Sequence, residues 1–370
     1  MSLEEEIGVA RKEIISDGYE MSVGEIINLY RDKEIFINPV YQRLFRWDDS
    51  RKTRFIESVL LGIPIPPIFV YQNENGVWEL IDGLQRLSTI LQFVGILRKA
   101  NDAYEDPLIL EGTRFLPSLA NAVWTDVDIV DTKPIDSNLE RVFKRARLRV
   151  EILKQESDPD AKYELFQRLN TGGISLSEQE VRNCVAVMVD DTFQDWLTTT
   201  LAADENFKQT IFQTEAALEK QMAVELALRF LCFRHVPYAK GLDVHEYLDD
   251  AMMTIIKDPM FDRIAEQAIF VQTFGFLHEA LGQHAFRRWD GNQFTGKFLM
   301  SVFEVIATGV SKNLETIAIM AEPERIEFIK TKAKALWTNE TFNSNSGAGI
   351  RGTTRLANLL PIAKEYFKSE

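Results

Sequence analysis

Cysteine and histidine are scarce in this chain of 370 residues, which has two cysteines and four histidines. Two cysteines cannot form a disulfide framework, and the sequence has no CxxC pair of the kind that binds zinc. So few thiols favour a reducing compartment, and we therefore expect a cytoplasmic protein. The histidines fit no standard spacing of metal ligands, and no HNH-type nuclease motif is visible. We predict no metal site made by side chains of the protein alone.

Long apolar runs are also missing. The longest run, around residues 59–70, is interrupted by Gly62, Pro64, Pro66 and Pro67, so it does not approach the roughly 20 residues of a membrane span. The N-terminal residues are acidic and have no apolar core, which argues against a signal peptide. We expect no membrane partner.

Basic residues are outnumbered by acidic ones. The chain has 42 Lys and Arg residues against 56 Asp and Glu residues, which gives a formal net charge of −14. This charge argues against strong autonomous binding of DNA by the whole chain, although a local basic patch can still bind phosphates. The hydrophobic fraction of 45% and the charged fraction of 26% are ordinary for a globular protein.

Two kinds of sequence pattern divide the chain. Strand-like and helical runs alternate in residues 20–190, whereas helical periodicity dominates residues 191–370. We therefore predict an α+β protein with an N-terminal extension over residues 1–19, an α/β domain over 20–190 and an all-α helical domain over 191–370. The Asn- and Ser-rich tract 343–349 predicts a flexible loop.

The α/β pattern includes a hairpin followed by a helix. Residues 68–72 and 77–81 are β-rich, and the turn between them ends in Gly76. Apolar spacing then predicts a helix over 84–99. A further strand is predicted over 145–153, with alternate arginines on one face. Those arginines either form a solvated outer face or line an anion site.

The turn between the second strand of the hairpin and the helix groups three informative residues. Gly83 leaves backbone N–H groups free at a helix N-terminus, which suits an anion such as phosphate. Arg86 adds a guanidinium group, and Asp82 adds a carboxylate that can hold a metal ion or polarise a water molecule. The alternative interpretation is a tight turn in which Asp82 caps the helix.

Two more polar clusters lie elsewhere in the chain, at residues 41–47 and 166–173. They supply aromatic rings, arginines, amides and a pair of glycines. A nucleoside triphosphate requires such groups for charge neutralisation, hydrogen bonding and base stacking. Each cluster alone also has a structural explanation, as core aromatics, an exposed helix end or a C-terminal cap.

Together these clusters resemble one bacterial protein family. The matching motifs are PVYQR at 39–43 with Trp47, IPIPP at 63–67, IDGLQRLST at 81–89, and FQRLNTGG at 166–173 with LSEQE at 176–180. The chain is similar to the family whose N-terminal module resembles the ParB/sulfiredoxin fold and which includes GmrSD-type restriction proteins and related phage-defence NTPases. The family motif is DGQQR, and Leu84 stands at its middle position here.

The resemblance implies a ParB-like α/β domain that binds an NTP and, in some members, hydrolyses it, with Mg²⁺ as a candidate cofactor. It implies that Asp82 is the catalytic acid that orients metal or water. The implied nucleotide- and phosphate-binding residues are Tyr41, Gln42, Arg43, Gly83, Gln85, Arg86, Arg168 and Asn170. Fused members carry a C-terminal HNH-type nuclease domain, which we do not expect here because no such motif is visible in the sequence.

Three functions therefore compete. The first is an NTP-binding and NTP-hydrolysing protein of a DNA restriction or phage-defence system. The sequence has no P-loop motif, so its phosphate-binding site would be of another kind. The second is a non-enzymatic ParB-like regulator that binds DNA or a partner. The third is a ParB-like nuclease, which ranks last because no second carboxylate cluster or histidine base accompanies Asp82. Partner candidates are DNA, contacted directly or through a nuclease, and a second copy of the chain in a homo-oligomer.

Overall fold

A computed structural model describes residues 2–5, 15–38, 47–99, 101–154, 161–170, 177–219, 221–347 and 349–368. The chain divides into two compact units, Met1–Ser175 and Leu176–Glu370. The first unit combines a five-stranded sheet with helices, and the second is mainly helical. The predicted α+β class is confirmed. The predicted domain limits at residues 20–190 and 191–370 stay predictions.

The strands of the N-terminal unit are β1 (Ser16–Ser22), β2 (Ile35–Phe36), β3 (Ile68–Gln72), β4 (Trp78–Asp82), β5 (Ala122–Val123), β6 (Lys133–Pro134) and β7 (Arg147–Leu153). Five of them form one mixed sheet in the order β1-β7-β3-β4-β2, and β5 pairs separately with β6. The predicted hairpin is confirmed, because β3 and β4 pair antiparallel. Strand β7 lies parallel to β3 and antiparallel to β1.

The helices of this unit are α1 (Val23–Arg31), α2 (Asp49–Leu61), α3 (Leu84–Phe93), α4 (Ser137–Arg145) and α5 (Ala161–Asn170). The side chain of Ser22 caps α1, and that of Asp48 caps α2. Helix α3 ends six residues earlier than the predicted end at Lys99. Gly95 adopts a left-handed conformation (φ +74°) just beyond its end, which stops the helix there.

The core of the N-terminal unit lies between the sheet and its helices. Leu148, Val150 and Ile152 on β7 are buried. Arg147 and Arg149, which alternate with them along the strand, are exposed, as the sequence pattern predicts. A trio of edge-to-face aromatic contacts closes the other side of this core, with ring centroids 5.4–5.5 Å apart for Phe93, Trp124 and Phe143.

The helices of the second unit are α6 (Glu178–Val189), α7 (Asp191–Asp195), α8 (Glu205–Ile211), α9 (Glu215–Glu219), α10 (Met222–His235), α11 (Val244–Lys257), α12 (Arg263–Leu281), α13 (Met300–Lys312), α14 (Leu314–Ala318), α15 (Glu322–Ala335), α16 (Glu340–Ser346) and α17 (Gly352–Tyr366). Buried phenylalanines from four of them meet in its core: Phe207, Phe230, Phe270, Phe274 and Phe303. No helix among the described residues is long and apolar enough to cross a membrane.

Two features of the helical unit differ from the sequence-based prediction. The unit contains a small antiparallel hairpin, β8 (Arg288–Trp289) with β9 (Phe294–Thr295). Helix α16 also occupies most of the tract predicted to be a flexible loop. The Asn339 side chain caps α16 by accepting a hydrogen bond from the Phe342 amide (2.8 Å), and the Phe342 ring is fully buried. A cap and one buried ring outweigh the low helix propensity of Asn and Ser.

Close packing of α13 on α17 requires a glycine in α13. A Cβ atom at Gly309 would lie 2.6 Å from the carbonyl oxygen of Ala363 and would overlap the Phe367 ring. Gly275 in α12 offers a contrast, because the nearest atom to its added Cβ would be Asn206 Nδ2 at 3.9 Å. One helical glycine is therefore needed for packing, and the other is not.

We predict opposite effects of alanine at these two glycines. Gly309→Ala lowers the free energy of unfolding by about 1–3 kcal/mol, because the added methyl group overpacks the α13–α17 contact. Gly275→Ala raises it by up to about 1 kcal/mol through helix propensity alone. Differential scanning calorimetry of the two variants measures both effects. Equal melting temperatures for the two variants would contradict the close contact.

Candidate functional site

The candidate site begins where β4 ends at Asp82 and α3 begins at Leu84. Gly83 joins them in a left-handed conformation (φ +98°), and no side chain caps the helix. A Cβ atom at Gly83 would lie 2.5 Å from Ile68 Cγ2, so both the backbone conformation and the packing require glycine. The alternative interpretation of the sequence made Asp82 the cap of this helix, but Gly83 occupies the N-cap position. Gly83, at the N-cap position, has no side chain that could accept from the first-turn amides of α3.

Arg86 returns from the first turn of α3 to the end of β4. Its Nη2 donates to Asp82 Oδ2 at 2.6 Å and to the Pro67 carbonyl oxygen at 3.0 Å. Both side chains of the ion pair are largely buried, at 18% and 25% exposure. Arg86 Nε is buried and has no hydrogen-bond partner within the described part of the chain. The guanidinium group thus fixes the turn, and its Nε donor is not used by any described residue.

Gln85 connects the same turn to the segment that contains the first polar cluster. Its Oε1 accepts a hydrogen bond from the backbone N–H of Trp47 at 3.1 Å. The Trp47 ring packs edge-to-face on Phe55, with 5.6 Å between the ring centroids. The predicted site residues Tyr41, Gln42 and Arg43 lie just before Trp47 and outside the described residues.

The third polar cluster lies partly on α5, which contacts β4. Arg168 is exposed and forms an ion pair with Glu164 of the preceding turn (3.2 Å). The side chain of Asn170, the last residue of α5, lies outside the described parts. The contact between α5 and β4 is compatible with a shared cleft. That Arg168 and Asn170 close a pocket over Asp82 stays a prediction.

The arginines next to and within β7 line a cavity of about 690 Å³ together with the segment 62–67. Arg149 is paired with Glu151 (2.6 Å), and this hydrogen bond raises the pKa of Arg149. Arg145 and Arg147 have no ion pair among the described residues. Pro67, which also lines this cavity, is the residue whose carbonyl oxygen accepts from Arg86. Both interpretations of these arginines remain open.

Two arrangements in the structure were not predicted. A second cavity, of about 730 Å³, lies beyond the C-terminal end of α3 and combines Tyr30, Phe36 and Tyr104 with basic residues. In the helical unit, the fully buried Arg182 donates to Asp249 (2.7 Å) and to His245 Nδ1 (2.8 Å). Burial raises the pKa of Asp249 to about 6. Sequence spacing offered no signal for either, because the contacts join residues far apart in the chain.

Among the residues that the structure describes, no group of three or more His, Cys, Asp or Glu side chains is placed to hold a metal ion. Asp82 is thus a single carboxylate at the turn. Mg²⁺ commonly uses only one or two protein carboxylates when phosphates of the substrate supply the other ligands. The turn fits a metal ion that arrives with a nucleotide better than one held by the protein alone.

Comparison with known proteins gives one family match. The model of the GmrSD restriction endonuclease N-terminal domain matches residues 23–186, which is less than half of the chain. No curated protein matches at a significant level. A solved structure of a Pnob8-like ParB-N domain, in its C2221 form, covers 90% of this chain and 96% of its own chain at 12% identity, with a TM-score of 0.27. That score is too low to carry an argument.

The contacts of Arg86 predict that it is needed for stability. Arg86→Ala leaves the largely buried Asp82 carboxylate unpaired and removes the bond to Pro67, so we expect a loss of about 2–3 kcal/mol. Lys208→Ala is the control, because it breaks an exposed pair with Glu205 within one helix (3.6 Å) and costs at most about 0.5 kcal/mol. Thermal unfolding of both variants tests this. A melting temperature for Arg86→Ala equal to that of the control would show that the pair does not fix the turn.

Proposed function

Residues 23–186 match the model of the GmrSD restriction endonuclease N-terminal domain, and from this match we propose that the chain binds and hydrolyses an NTP in a DNA restriction or phage-defence system. The observation that carries the proposal is the uncapped turn at Gly83, where a helix N-terminus, a carboxylate and a guanidinium group meet. Helix N-termini with free amides are general binding sites for phosphate groups. We assign the triphosphate to this turn.

Each residue of the turn has a role in this proposal. The amides of the first turn of α3 and the spare donors of Arg86 bind phosphate oxygens. Asp82 orients a water molecule or a Mg²⁺ ion that the phosphates also coordinate. Gln85 holds the backbone of Trp47, and we assign the opposite wall to Tyr41, Gln42 and Arg43. Arg168 and Asn170 close the pocket from α5.

The ion pair at the turn gives this proposal a specific physical consequence. Without nucleotide, Arg86 neutralises Asp82 across 2.6 Å. A bound triphosphate competes for the guanidinium group and weakens its hold on Asp82, because phosphate carries more negative charge than one carboxylate. The carboxylate then becomes available for Mg²⁺ or water. Nucleotide binding and formation of the catalytic arrangement are in this way coupled.

The same ion pair favours one alternative function. If Arg86 continues to hold Asp82 after the nucleotide binds, the domain works as a ParB-like switch without turnover. The NTP then changes only the conformation that a partner recognises. DNA, contacted directly or through a nuclease, is the candidate partner in both cases.

We predict that each NTP–Mg²⁺ complex that binds raises the melting temperature of the full chain. A ligand present at a hundred times its Kd stabilises the folded state by about 2.7 kcal/mol, which is readily measured. Arg86→Lys keeps the charge but loses the planar fork, so we expect an affinity on the order of tenfold lower. Asp82→Asn keeps the size of the side chain, and we expect it to lower the rate of phosphate release more than the affinity for NTP.

Arg141→Ala, an exposed position on α4, serves as the control and binds like the wild type. ATP, GTP, CTP and UTP are tested by thermal shift and isothermal titration, and turnover by phosphate release. An NTP affinity of Arg86→Lys equal to that of the wild type would contradict the assignment of the triphosphate to this turn. Binding by the wild type without any phosphate release would favour the switch.

A further inference from the structure

The hairpin of the helical unit lies next to several cations that form no close ion pair among the described residues. Arg287, Arg288, Lys297 and Lys334 form no ion pair within the described part of the chain. Some other cations of this unit are paired, for example Lys208 with Glu205 and Arg325 with Glu279. The chain as a whole has a net charge of −14, so these cations lie in an acidic protein. Such a patch is available for an external anion.

The hairpin is closed by its own acidic residue. Asp290 Oδ1 accepts hydrogen bonds from the backbone amides of Asn292 and Gln293, both at 2.8 Å. These bonds, and to a smaller extent the charge of Arg288, lower the pKa of Asp290, and the bonds fix its carboxylate in the turn. Across the strands, the rings of Trp289 and Phe294 pack with their centroids 5.0 Å apart. The hairpin therefore has a hydrogen-bonded turn and a cross-strand ring contact, and the cations lie next to it.

Each cation of this patch except Lys297 lies over an aromatic ring. The Arg287 guanidinium group is 5.2 Å from the Phe212 ring centroid, and that of Arg288 is 5.8 Å from the Trp337 centroid. Lys334 Nζ is 5.0 Å from the Trp289 centroid. Phe212 is 57% exposed, and the two tryptophans are partly exposed. We call this set of three cations and three rings the basic–aromatic surface.

We propose that the basic–aromatic surface binds single-stranded DNA. Cations without carboxylate partners neutralise phosphates, and partly exposed rings next to them stack on unpaired bases. An acidic peptide would need the cations but would not explain three rings that alternate with them. Double-stranded DNA keeps its bases stacked and offers only phosphates and groove edges. The proposal does not depend on NTP binding by the N-terminal unit, because all its residues lie in the helical unit.

The test measures fluorescence anisotropy of a labelled oligothymidylate of about 12 nucleotides, and of a duplex of equal length, with the full chain. We expect the single strand to bind more tightly than the duplex. Three phosphate contacts predict a slope of log K against log salt of about −2 for a single strand. The double variant Arg288→Ala/Lys334→Ala weakens binding on the order of tenfold or more and makes this slope shallower by about 1.4.

A matched double variant separates the surface from net charge. Lys208→Ala/Lys368→Ala removes the same charge from two exposed lysines that pair with Glu205 and Glu365. We expect this control to bind the single strand like the wild type. Trp289→Leu weakens binding on the order of tenfold, whereas Trp289→Phe retains most of it because a stacking ring remains. Melting temperatures measured alongside show that each variant is folded.

Three results would overturn the proposal. The first is no single-strand binding by the wild type at about 50 mM salt. The second is an equal loss of affinity in the surface variant and the control, which would attribute binding to net charge. The third is tighter binding of the duplex, which would assign the surface to phosphates and groove edges.

Discussion

The close approach of Gly83 to Ile68 is the constraint on which the candidate site depends. A side chain at residue 83 would place its Cβ 2.5 Å from Ile68 Cγ2, so the turn between β4 and α3 stays tight only with glycine. This places the first turn of α3 directly at the end of the hairpin. Arg86 then reaches both Asp82 and the Pro67 carbonyl oxygen, and Gln85 reaches the backbone of Trp47. One local conformation thus orients the acid, the guanidinium group and the entrance to the first polar cluster.

The pairing of Asp82 with Arg86 links stability to function. A largely buried carboxylate is costly without a partner, and Arg86 supplies that partner within the turn. In the proposed site, a triphosphate must therefore bind the Arg86 guanidinium group more strongly than the Asp82 carboxylate does. In the proposed site the first-turn amides of α3 also bind the triphosphate, because a helix N-terminus attracts phosphate and Gly83 offers these amides no capping side chain. The same logic explains why a hydrolysing enzyme and a non-hydrolysing switch share one arrangement and differ only in what Asp82 does after binding.

Local sequence signals predicted much of the fold. The hairpin and the alternating faces of β7 depend on neighbouring residues, and the structure confirms them. The site was predictable to the extent that Asp82, Gly83 and Arg86 lie in one turn. The ion pair with Asp82 joins residues only four apart in the sequence, but the bond from Arg86 to Pro67 spans 19 residues and has no local signal. Helix α16 and the hairpin β8–β9 were missed for a similar reason, because a buried Phe342 and the Trp289–Phe294 contact override weak local preferences.

The most direct test of the central claim is a crystal structure of the full chain with a non-hydrolysable NTP analogue and Mg²⁺. The account predicts phosphate oxygens on the first-turn amides of α3 and on the Arg86 guanidinium group, with Asp82 turned toward Mg²⁺ or its water ligands. A triphosphate bound elsewhere, with the Asp82–Arg86 pair unchanged at the turn, would contradict it.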